Sequence, residues 1–343
     1  MKKLFLGKVT EAHLLLALLI FSVLYSCKKD DNKPSQPKKE SAGVVLDWYR
    51  FVAGLQQETS PQPNYLLHHR NFGYIGVGLY EAVRPGLKKA ASLSSVLYQM
   101  PAMPQPEQGK EYLWSASANA ALARMFTLFL SGLSDADKSD ITAREEANKM
   151  LFRQTASEEV ISRSEAFGRA IATAIHNWSS GDGFSLSGAG YTVSSEPSAW
   201  QPTPPAFAAA VGYQLQHSKP FLAYSLTATA PPLPFPYSEE PTSEFYKAAE
   251  EVYDIGKNLT AEQKAIAIWW SDVGAPGTII SPPYHTLNII TNLLESRHMD
   301  LWKAAEVYAK TGIAMKDGPI NVFRAKYEYN LIRPITFIHR KID

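Results

Sequence analysis

Apolar residues recur at helical spacing along almost the whole chain, and no other sequence feature restricts the fold as strongly. The first run with this 3.6-residue period comprises Val44, Val45, Trp48, Phe51, Val52 and Leu55. No segment of any length shows the two-residue alternation that is typical of a half-buried strand. The sequence therefore predicts an all-α fold, with helices long enough to pack as a bundle.

Capping and breaking residues predict where individual helices begin and end. Pro85-Gly86 stops a helix over 65–83. Ser134-x-x-Asp137 has the sequence of a capping box, and Thr155-x-x-Glu158 is expected to cap the helix that follows. Further helices are predicted over 44–55, 113–130, 243–255, 260–270, 284–295, 301–315 and 321–332. The tryptophans at helical spacing are expected in the core: Trp48, Trp114, Trp178, Trp269, Trp270 and Trp302.

A long irregular connection between Ser179 and Ser243 interrupts this pattern. Glycines and prolines break every periodic segment there, namely Gly181, Gly183, Gly188, Gly190, Pro202, Pro204, Pro205, Pro231, Pro232, Pro234 and Pro236. Such a connection inside a compact domain is often functional, but its composition fits a simple spacer equally well.

The N-terminus has the pattern of a secretory signal. Three lysines precede a short apolar run over 14–24, which is less than the roughly 20 apolar residues that a membrane span needs. The run ends in Leu24-Tyr25-Ser26-Cys27, which resembles a bacterial lipobox. Residues 1–26 are therefore predicted to be a lipoprotein signal peptide, and Cys27 to be the lipidated residue that anchors the chain to the outer membrane, on its periplasmic or surface face.

Residues 27–43 follow as a charged, proline-bearing stretch that predicts a flexible tether, and residues 44–343 are expected to form one helical domain. The chain has a formal net charge of +1, and removal of residues 1–26 leaves it near −1. Such a small charge argues against nucleic-acid binding. Cys27 is the only cysteine, so no intramolecular disulfide can form.

The densest cluster of chemically useful residues lies near the C-terminus. On the predicted helix that starts near Asn321 and ends at Arg333-Pro334, one polar stripe is formed by Lys326, Tyr329, Asn330 and Arg333, and it is opposed by Phe323, Tyr327 and Leu331. A seven-residue spacing brings Lys326 and Arg333 to within about 20° of each other and roughly 10 Å apart along the axis. Their side chains can then converge on one tetrahedral oxyanion. The alternative is a solvated helix face with two surface cations.

The sequence around this pair resembles a known family. Lys-x6-Arg-Pro is the opening motif of the superfamily that joins vanadium haloperoxidases to type 2 phosphatidic acid phosphatases. The surrounding residues, 325–336, are similar to its secreted bacterial branch. Other segments resemble that branch in the same order along residues 44–343: Trp200-Gln-Pro-Thr-Pro-Pro-Ala-Phe, Lys219-Pro-Phe, Pro231-Pro-Leu-Pro, Leu259-Thr-Ala-Glu-Gln-Lys, Trp270-x-Asp272, Gly277-Thr and Pro282-Pro-Tyr-His285.

The resemblance implies a helical bundle of the vanadium haloperoxidase type and an oxyanion as cofactor or substrate. Lys326 and Arg333 are expected to bind the oxygens of vanadate or phosphate, with Tyr329 and Asn330 beside them as supporting residues. The chain would then act on small anions, either by oxidising halide with hydrogen peroxide at a vanadate centre or by hydrolysing a phosphate ester. The residues leave both chemistries open, and no metal-ligating residue is assigned.

Two family motifs are absent from the sequence. Neither Pro-Ser-Gly-His nor Ser-Arg-x5-His-x3-Asp occurs, and the chain ends ten residues after Arg333. We therefore expect a domain that is incomplete at its C-terminus and inactive alone, without an assigned catalytic residue; His285 and His339 do not match these motifs. Phe323-Arg324 replaces the Trp-Asp that is frequent in the family, which places Arg324 either beside the site or, as we expect, on the surface.

A non-catalytic surface lipoprotein that binds glycan or protein is the alternative function, and it predicts an exposed aromatic platform. Other candidate sites are weak. His68 and His69 are adjacent on a predicted helix and face different directions, which argues against a metal pair. Asp182 lies between two glycines, where a turn is a more common role for aspartate than a cation site.

Overall fold

The computed structural model describes residues 40–58, 64–87, 89–233, 235–270 and 282–343. Within these residues no strand occurs, and the all-α prediction is confirmed. The predicted signal peptide, residues 1–26, and Cys27 lie outside the described residues. Eleven α-helices are present in the described part: α1 (Gly43–Glu58), α2 (Tyr65–Val83), α3 (Trp114–Phe129), α4 (Asp135–Phe152), α5 (Glu158–Ser179), α6 (Ser225–Ala228), α7 (Glu244–Lys257), α8 (Ala261–Trp270), α9 (Pro282–Ser296), α10 (Leu301–Tyr329) and α11 (Pro334–Lys341).

The core is built around α2, which is buried over most of its surface and packs along α10. Small residues let these helices approach closely: a Cβ on Gly76 would lie 2.5 Å from the carbonyl oxygen of Tyr308. Helices α3 and α5 pack together on another side of α2. The large apolar side chains at the centre, which include Trp48, Phe126 and Tyr308, are less than 2% exposed.

Glu40 already contacts this core, although it belongs to the predicted tether. Its carboxylate accepts hydrogen bonds from the backbone nitrogens of Trp114 and Ser115 at the start of α3. Its carbonyl oxygen accepts from the nitrogen of Leu301 at the start of α10. A carboxylate at a helix N-terminus satisfies free N–H groups and interacts favourably with the helix dipole. The fixed part of the chain therefore begins before residue 44.

Several helix boundaries agree with the sequence, and others do not. Helix α2 has the predicted bounds, and Ser134 and Asp137 form the expected capping box. The cap of α5 is Ser157, whose hydroxyl accepts from the nitrogen of Val160 at 3.3 Å, so the assignment of Thr155 as the cap was wrong. The core prediction was also wrong for Trp269 and Trp270, which are 80% and 77% exposed.

The largest difference concerns α10. Two helices were predicted over 301–315 and 321–332, but one helix of 29 residues runs from Leu301 to Tyr329 and includes Gly318-Pro319. Proline removes one N–H donor, yet Asp317 and Ile320, which flank Gly318-Pro319, are buried and fix the helix by tertiary contacts. The helix ends earlier than predicted, at Tyr329, because Asn330 adopts a left-handed conformation with φ of 46°.

Among the described residues, none of the helices combines the length and the apolar character required to cross a membrane.

Buried histidine makes the core sensitive to acid. His68 on α2 is 1% exposed, its ring lies 5.0 Å from that of Tyr284, and its Nδ1 has no hydrogen-bond partner among the described residues. Burial lowers the pKa of His68 to about 4 from an ordinary value of 6.5. Between these values the unfolded chain binds the additional proton, so stability falls as the pH falls.

We expect His68 to contribute a loss of about 2 kcal/mol in the free energy of unfolding between pH 7 and pH 5. Denaturant unfolding of the wild type and of His68→Gln at both pH values measures this contribution. The variant should lose about 2 kcal/mol less than the wild type over the same interval. Equal losses would show that His68 accepts its proton without unfolding.

Candidate functional site

A cavity of about 1480 Å³ lies between the second half of α10 and the proline-rich connection. Along α10, most of the lining positions are spaced alternately by three residues and by one residue. This spacing places them on one face of the helix. This face consists of Lys310, Ile313, Ala314, Asp317, Gly318, Asn321, Val322, Ala325, Lys326 and Tyr329. The connection, expected to be either functional or a spacer, supplies the opposite wall, including Pro204, Pro205, Val211 and Pro231.

Lys326 and Arg333 both line this cavity, but they are not on one helix as predicted. Because Asn330 ends α10, the chain turns and Arg333 becomes the residue before α11, in an extended conformation. The expected helical stripe of Lys326, Tyr329, Asn330 and Arg333 therefore does not form. The two cations are brought together by a turn instead of by helical periodicity.

A short pairing between distant segments positions Arg333. The nitrogen of Trp200 donates to the oxygen of Asn330 at 2.9 Å, and the nitrogen of Ile332 donates to the oxygen of Ser198 at 2.7 Å. This pairing places Thr203 and Trp200 beside the guanidinium. Nη1 of Arg333 donates to the hydroxyl of Thr203 at 2.9 Å, and the guanidinium carbon lies 5.8 Å from the centre of the Trp200 ring.

Lys326 lies close enough to Arg333 for their charges to interact. Its Nζ is 4.8 Å from the centre of the Phe323 ring. Although the residue as a whole is exposed, burial of the ammonium lowers the pKa of Lys326, and the positive charge of Arg333 lowers it further. No described carboxylate offsets this effect, and the contacts of Arg333 are with Thr203 and Trp200. This end of the cavity thus carries two cations without a neutralising partner among the described residues.

Tyr329 and Asn330, the expected supporting residues, bind the connection. The hydroxyl of Tyr329 donates to the oxygen of Pro231, and that of Tyr191 donates to Oδ1 of Asn330 at 2.7 Å. Tyr327 donates to the oxygen of Val211 at 2.6 Å. These contacts attach the far wall to α10, and they act on the cations only through the shape of the cavity.

A buried charge cluster beneath the cavity was missed by the sequence analysis. Asp182 accepts from Nε of Arg70 at 2.8 Å and from the hydroxyl of Tyr74 at 3.0 Å, and Nζ of Lys316 lies 4.0 Å away. Asp182 also accepts from the nitrogen of Phe184, which is the predicted turn role. Burial lowers the pKa of Lys316 to about 8. The available signal was the pair of adjacent, oppositely charged residues at 316–317 next to the apolar segment 312–315.

This cluster fixes the connection to α10. Lys316 donates to the oxygen of Lys219 at 2.5 Å. The carboxylate of Asp317 accepts from the nitrogens of Phe221 and Leu222 at 2.7 and 2.9 Å, and burial raises the pKa of Asp317. The Lys219-Pro-Phe segment noted in the sequence is therefore the point at which the cavity wall is attached.

Histidine is absent from the described residues that line the cavity. His285 and His339 are both exposed and lie elsewhere, on α9 and α11. Arg324 lies 3.9 Å from Glu328 with its side chain 43% exposed, in agreement with the expected surface role. Across the described ranges, no group of three histidine, aspartate or glutamate side chains is placed to hold a metal ion.

Solved structures with this architecture identify the fold. A bacterial vanadium-dependent iodoperoxidase matches with a TM-score of 0.74 and 26% sequence identity, over 89% of this chain and 75% of that one. The chain belongs to the vanadium haloperoxidase superfamily. A holo-form bacterial vanadium-dependent chloroperoxidase matches this haloperoxidase-like chain with a TM-score of 0.51 and 16% identity, over 93% and 69% of the two chains, which shows the shared fold. No protein-family model and no curated protein matches the sequence.

The superfamily assignment agrees with the resemblance that the Lys326 motif carries, and the haloperoxidase-type helical fold is confirmed. Because the matched proteins depend on vanadium, the fold indicates a family of vanadate-binding enzymes.

Proposed function

We propose that this haloperoxidase-like protein binds a tetrahedral oxyanion, vanadate or phosphate, at Lys326 and Arg333. The observation that supports this most strongly is the convergence of two cations at one end of a large cavity, where the described part of the chain places no carboxylate beside them. Two like charges near each other raise the free energy of the empty site, and an anion between them relieves that repulsion. The donor set fits the oxygens of such an anion.

The two side chains contribute differently to binding. Arg333 supplies a planar fork of N–H donors, of which Nη1 is held by Thr203, so the orientation of the fork is fixed before the anion arrives. Lys326 supplies a compact charge above the Phe323 ring. Fixed cations of this kind stabilise negative charge on phosphoryl or vanadyl oxygens. When bound, vanadate supplies the activation of hydrogen peroxide that halide oxidation requires.

The cavity lacks a histidine among its described lining residues, and the sequence lacks both histidine motifs. We therefore propose that the chain binds the oxyanion but does not by itself turn over halide or phosphate esters. The haloperoxidase-like fold does not favour the alternative of a non-catalytic lipoprotein that binds glycan or protein, although Trp269 and Trp270 are exposed.

Vanadate should bind the chain with a dissociation constant in the millimolar range, equivalent to about 4 kcal/mol. Two charge-assisted contacts contribute at most about 1.5–3 kcal/mol each, and exposure to solvent reduces these values. We expect Arg333→Ala to weaken binding by about tenfold or more. Lys326→Ala should have a smaller effect, because the fork provides geometry as well as charge. Isothermal calorimetry or 51V line broadening measures the vanadate dissociation constants of the wild type and of both variants.

Arg324→Ala is the matched control, because it removes a cation from the same helix outside the cavity lining. It should leave vanadate binding unchanged, and bromination with peroxide and hydrolysis of p-nitrophenyl phosphate should stay at background in all proteins. Binding that is equal in wild type, Arg333→Ala and Lys326→Ala would remove the oxyanion assignment. Turnover in either assay would show that histidines outside the cavity act in the reaction.

We also propose that Cys27 carries a lipid anchor, on the basis of its lipobox-like sequence and not of the described structure. Stable membrane attachment requires more than one acyl chain. In a host that processes lipoproteins, a labelled fatty acid should be incorporated into the wild type and not into Cys27→Ser. Equal incorporation into both proteins would exclude this anchor.

A further inference from the structure

The cavity is much larger than an oxyanion needs. Its volume of about 1480 Å³ exceeds the range of about 300–1,000 Å³ that is typical of sites for drug-sized molecules. A four-oxygen anion held by Lys326 and Arg333 occupies only one end. The remaining volume extends along α10 as far as Lys310, and these 16 residues correspond to about 24 Å of helix.

The α10 wall between its two end lysines is mostly apolar and small. It presents Ile313, Ala314, Gly318, Val322 and Ala325. At the end of the cavity opposite Lys326, the charge of Lys310 is neutralised, because its ammonium pairs with Glu306 at 2.5 Å. Asp317 lies between these two ends, and its carboxylate is engaged by the backbone nitrogens of Phe221 and Leu222.

Polar groups along the same wall are already hydrogen-bonded. Asp317 holds the backbone of the connection, and Nδ2 of Asn321 donates to Thr229 at 2.9 Å. The hydroxyls of Tyr191, Tyr327 and Tyr329 are engaged as well, so these residues present ring surfaces to the cavity. One acceptor remains: Oδ1 of Asn321 is buried without a partner in the described part of the chain.

The opposite wall has the same character. The connection contributes prolines, alanines and valine from residues 204–211 and prolines from residues 231–232. Proline and alanine side chains are apolar and lose little conformational entropy when a ligand contacts them. An exposed apolar surface of this extent is typical of a ligand-binding groove or an interaction site.

We infer that the cavity is a binding site for an uncharged, elongated, apolar organic molecule, which lies along α10 beside the oxyanion and carries at most one hydrogen-bond donor. The position beside the oxyanion rests on the proposed function, whereas the apolar site itself does not. Such a molecule would be held next to the oxyanion as a second ligand, not as its covalent extension.

N-Phenyl-1-naphthylamine is a suitable probe, because it is neutral, flat, apolar and fluorescent in apolar surroundings, and has one N–H donor. Fluorescence titration of the full chain should show saturable one-to-one binding. Ala314→Trp and Ala325→Trp, which fill the α10 wall, should each weaken binding at least about tenfold. Ala143→Trp is the matched control on the exposed surface of α4, and it should leave the dissociation constant within about twofold of the wild type.

Probe titrations in the presence of vanadate distinguish the inferred apolar site from the proposed oxyanion site. Probe binding that persists in saturating vanadate supports two adjacent ligands. Probe binding without any vanadate binding would support the apolar site and overturn the oxyanion proposal. Displacement of the probe by vanadate would overturn the inference of adjacent ligands. Insensitivity of probe binding to both Ala314→Trp and Ala325→Trp would overturn the apolar site.

Discussion

Replacing Asp182 with alanine should lower the free energy of unfolding by about 3–5 kcal/mol. The carboxylate is 4% exposed and neutralises Arg70 at 2.8 Å, with the buried ammonium of Lys316 4.0 Å away. Its removal leaves two cations without their negative partner, and it also leaves the hydroxyl of Tyr74 without an acceptor. Denaturant unfolding at pH 7 measures the loss.

Asp135 provides the matched control, because it pairs with Lys138 at 3.0 Å but its side chain is fully exposed. Exposed pairs contribute little, so Asp135→Ala should change the unfolding free energy by less than about 1 kcal/mol. A similarly small change for Asp182→Ala would mean that water reaches Arg70 and Lys316 and replaces the carboxylate. In that case the cluster would not hold the connection against α10.

Gly76→Ala and Gly168→Ala should each destabilise the fold by about 3 kcal/mol or more. At Gly76 the new methyl would lie 2.5 Å from the carbonyl oxygen of Tyr308 on α10. At Gly168 it would collide with the carbonyl oxygen of Ser117 on α3. In both positions the obstacle is backbone, which cannot rotate away, so the helices must separate and lose close packing. Thermal and denaturant unfolding measure the change.

Gly54→Ala is the control within the same fold. A Cβ there meets nothing within 4 Å, and Gly54 lies inside α1. Alanine favours helix over glycine by about 0.5–1 kcal/mol, so this variant should be slightly more stable than the wild type. Destabilisation of all three variants alike would show that helix contact does not account for the effect at Gly76 and Gly168.

The sequence predicted the fold class and many helix boundaries because those depend on local patterns. Helix α2 ends where Pro85-Gly86 stops it, and Ser134 caps α4 through contacts within four residues. The Lys326 motif likewise located the candidate site. Each of these features is encoded by neighbouring residues, so a single sequence was sufficient to find it.

Features that depend on distant residues could not be predicted in this way. Gly318-Pro319 usually breaks a helix, but burial of Asp317 and Ile320 keeps α10 continuous. The left-handed conformation of Asn330 changed the relation between Lys326 and Arg333 from a shared helix face to a turn. The partners of Asp182 lie about 110 and 134 positions away, and no local pattern indicates them.

The pairing of residues 198–200 with residues 330–332 has a consequence for the order of folding. Arg333 contacts Thr203 across 130 residues of intervening chain, so closing that loop costs entropy that no local contact offsets. The helical core of α2, α3 and α5 can form from nearer contacts. We therefore expect the end of the cavity that holds Lys326 and Arg333 to form last during folding and to open first under mild denaturant. A protease cut within residues 204–233 would then separate the cavity wall formed by the connection from the wall formed by α10, while the helical core stays intact.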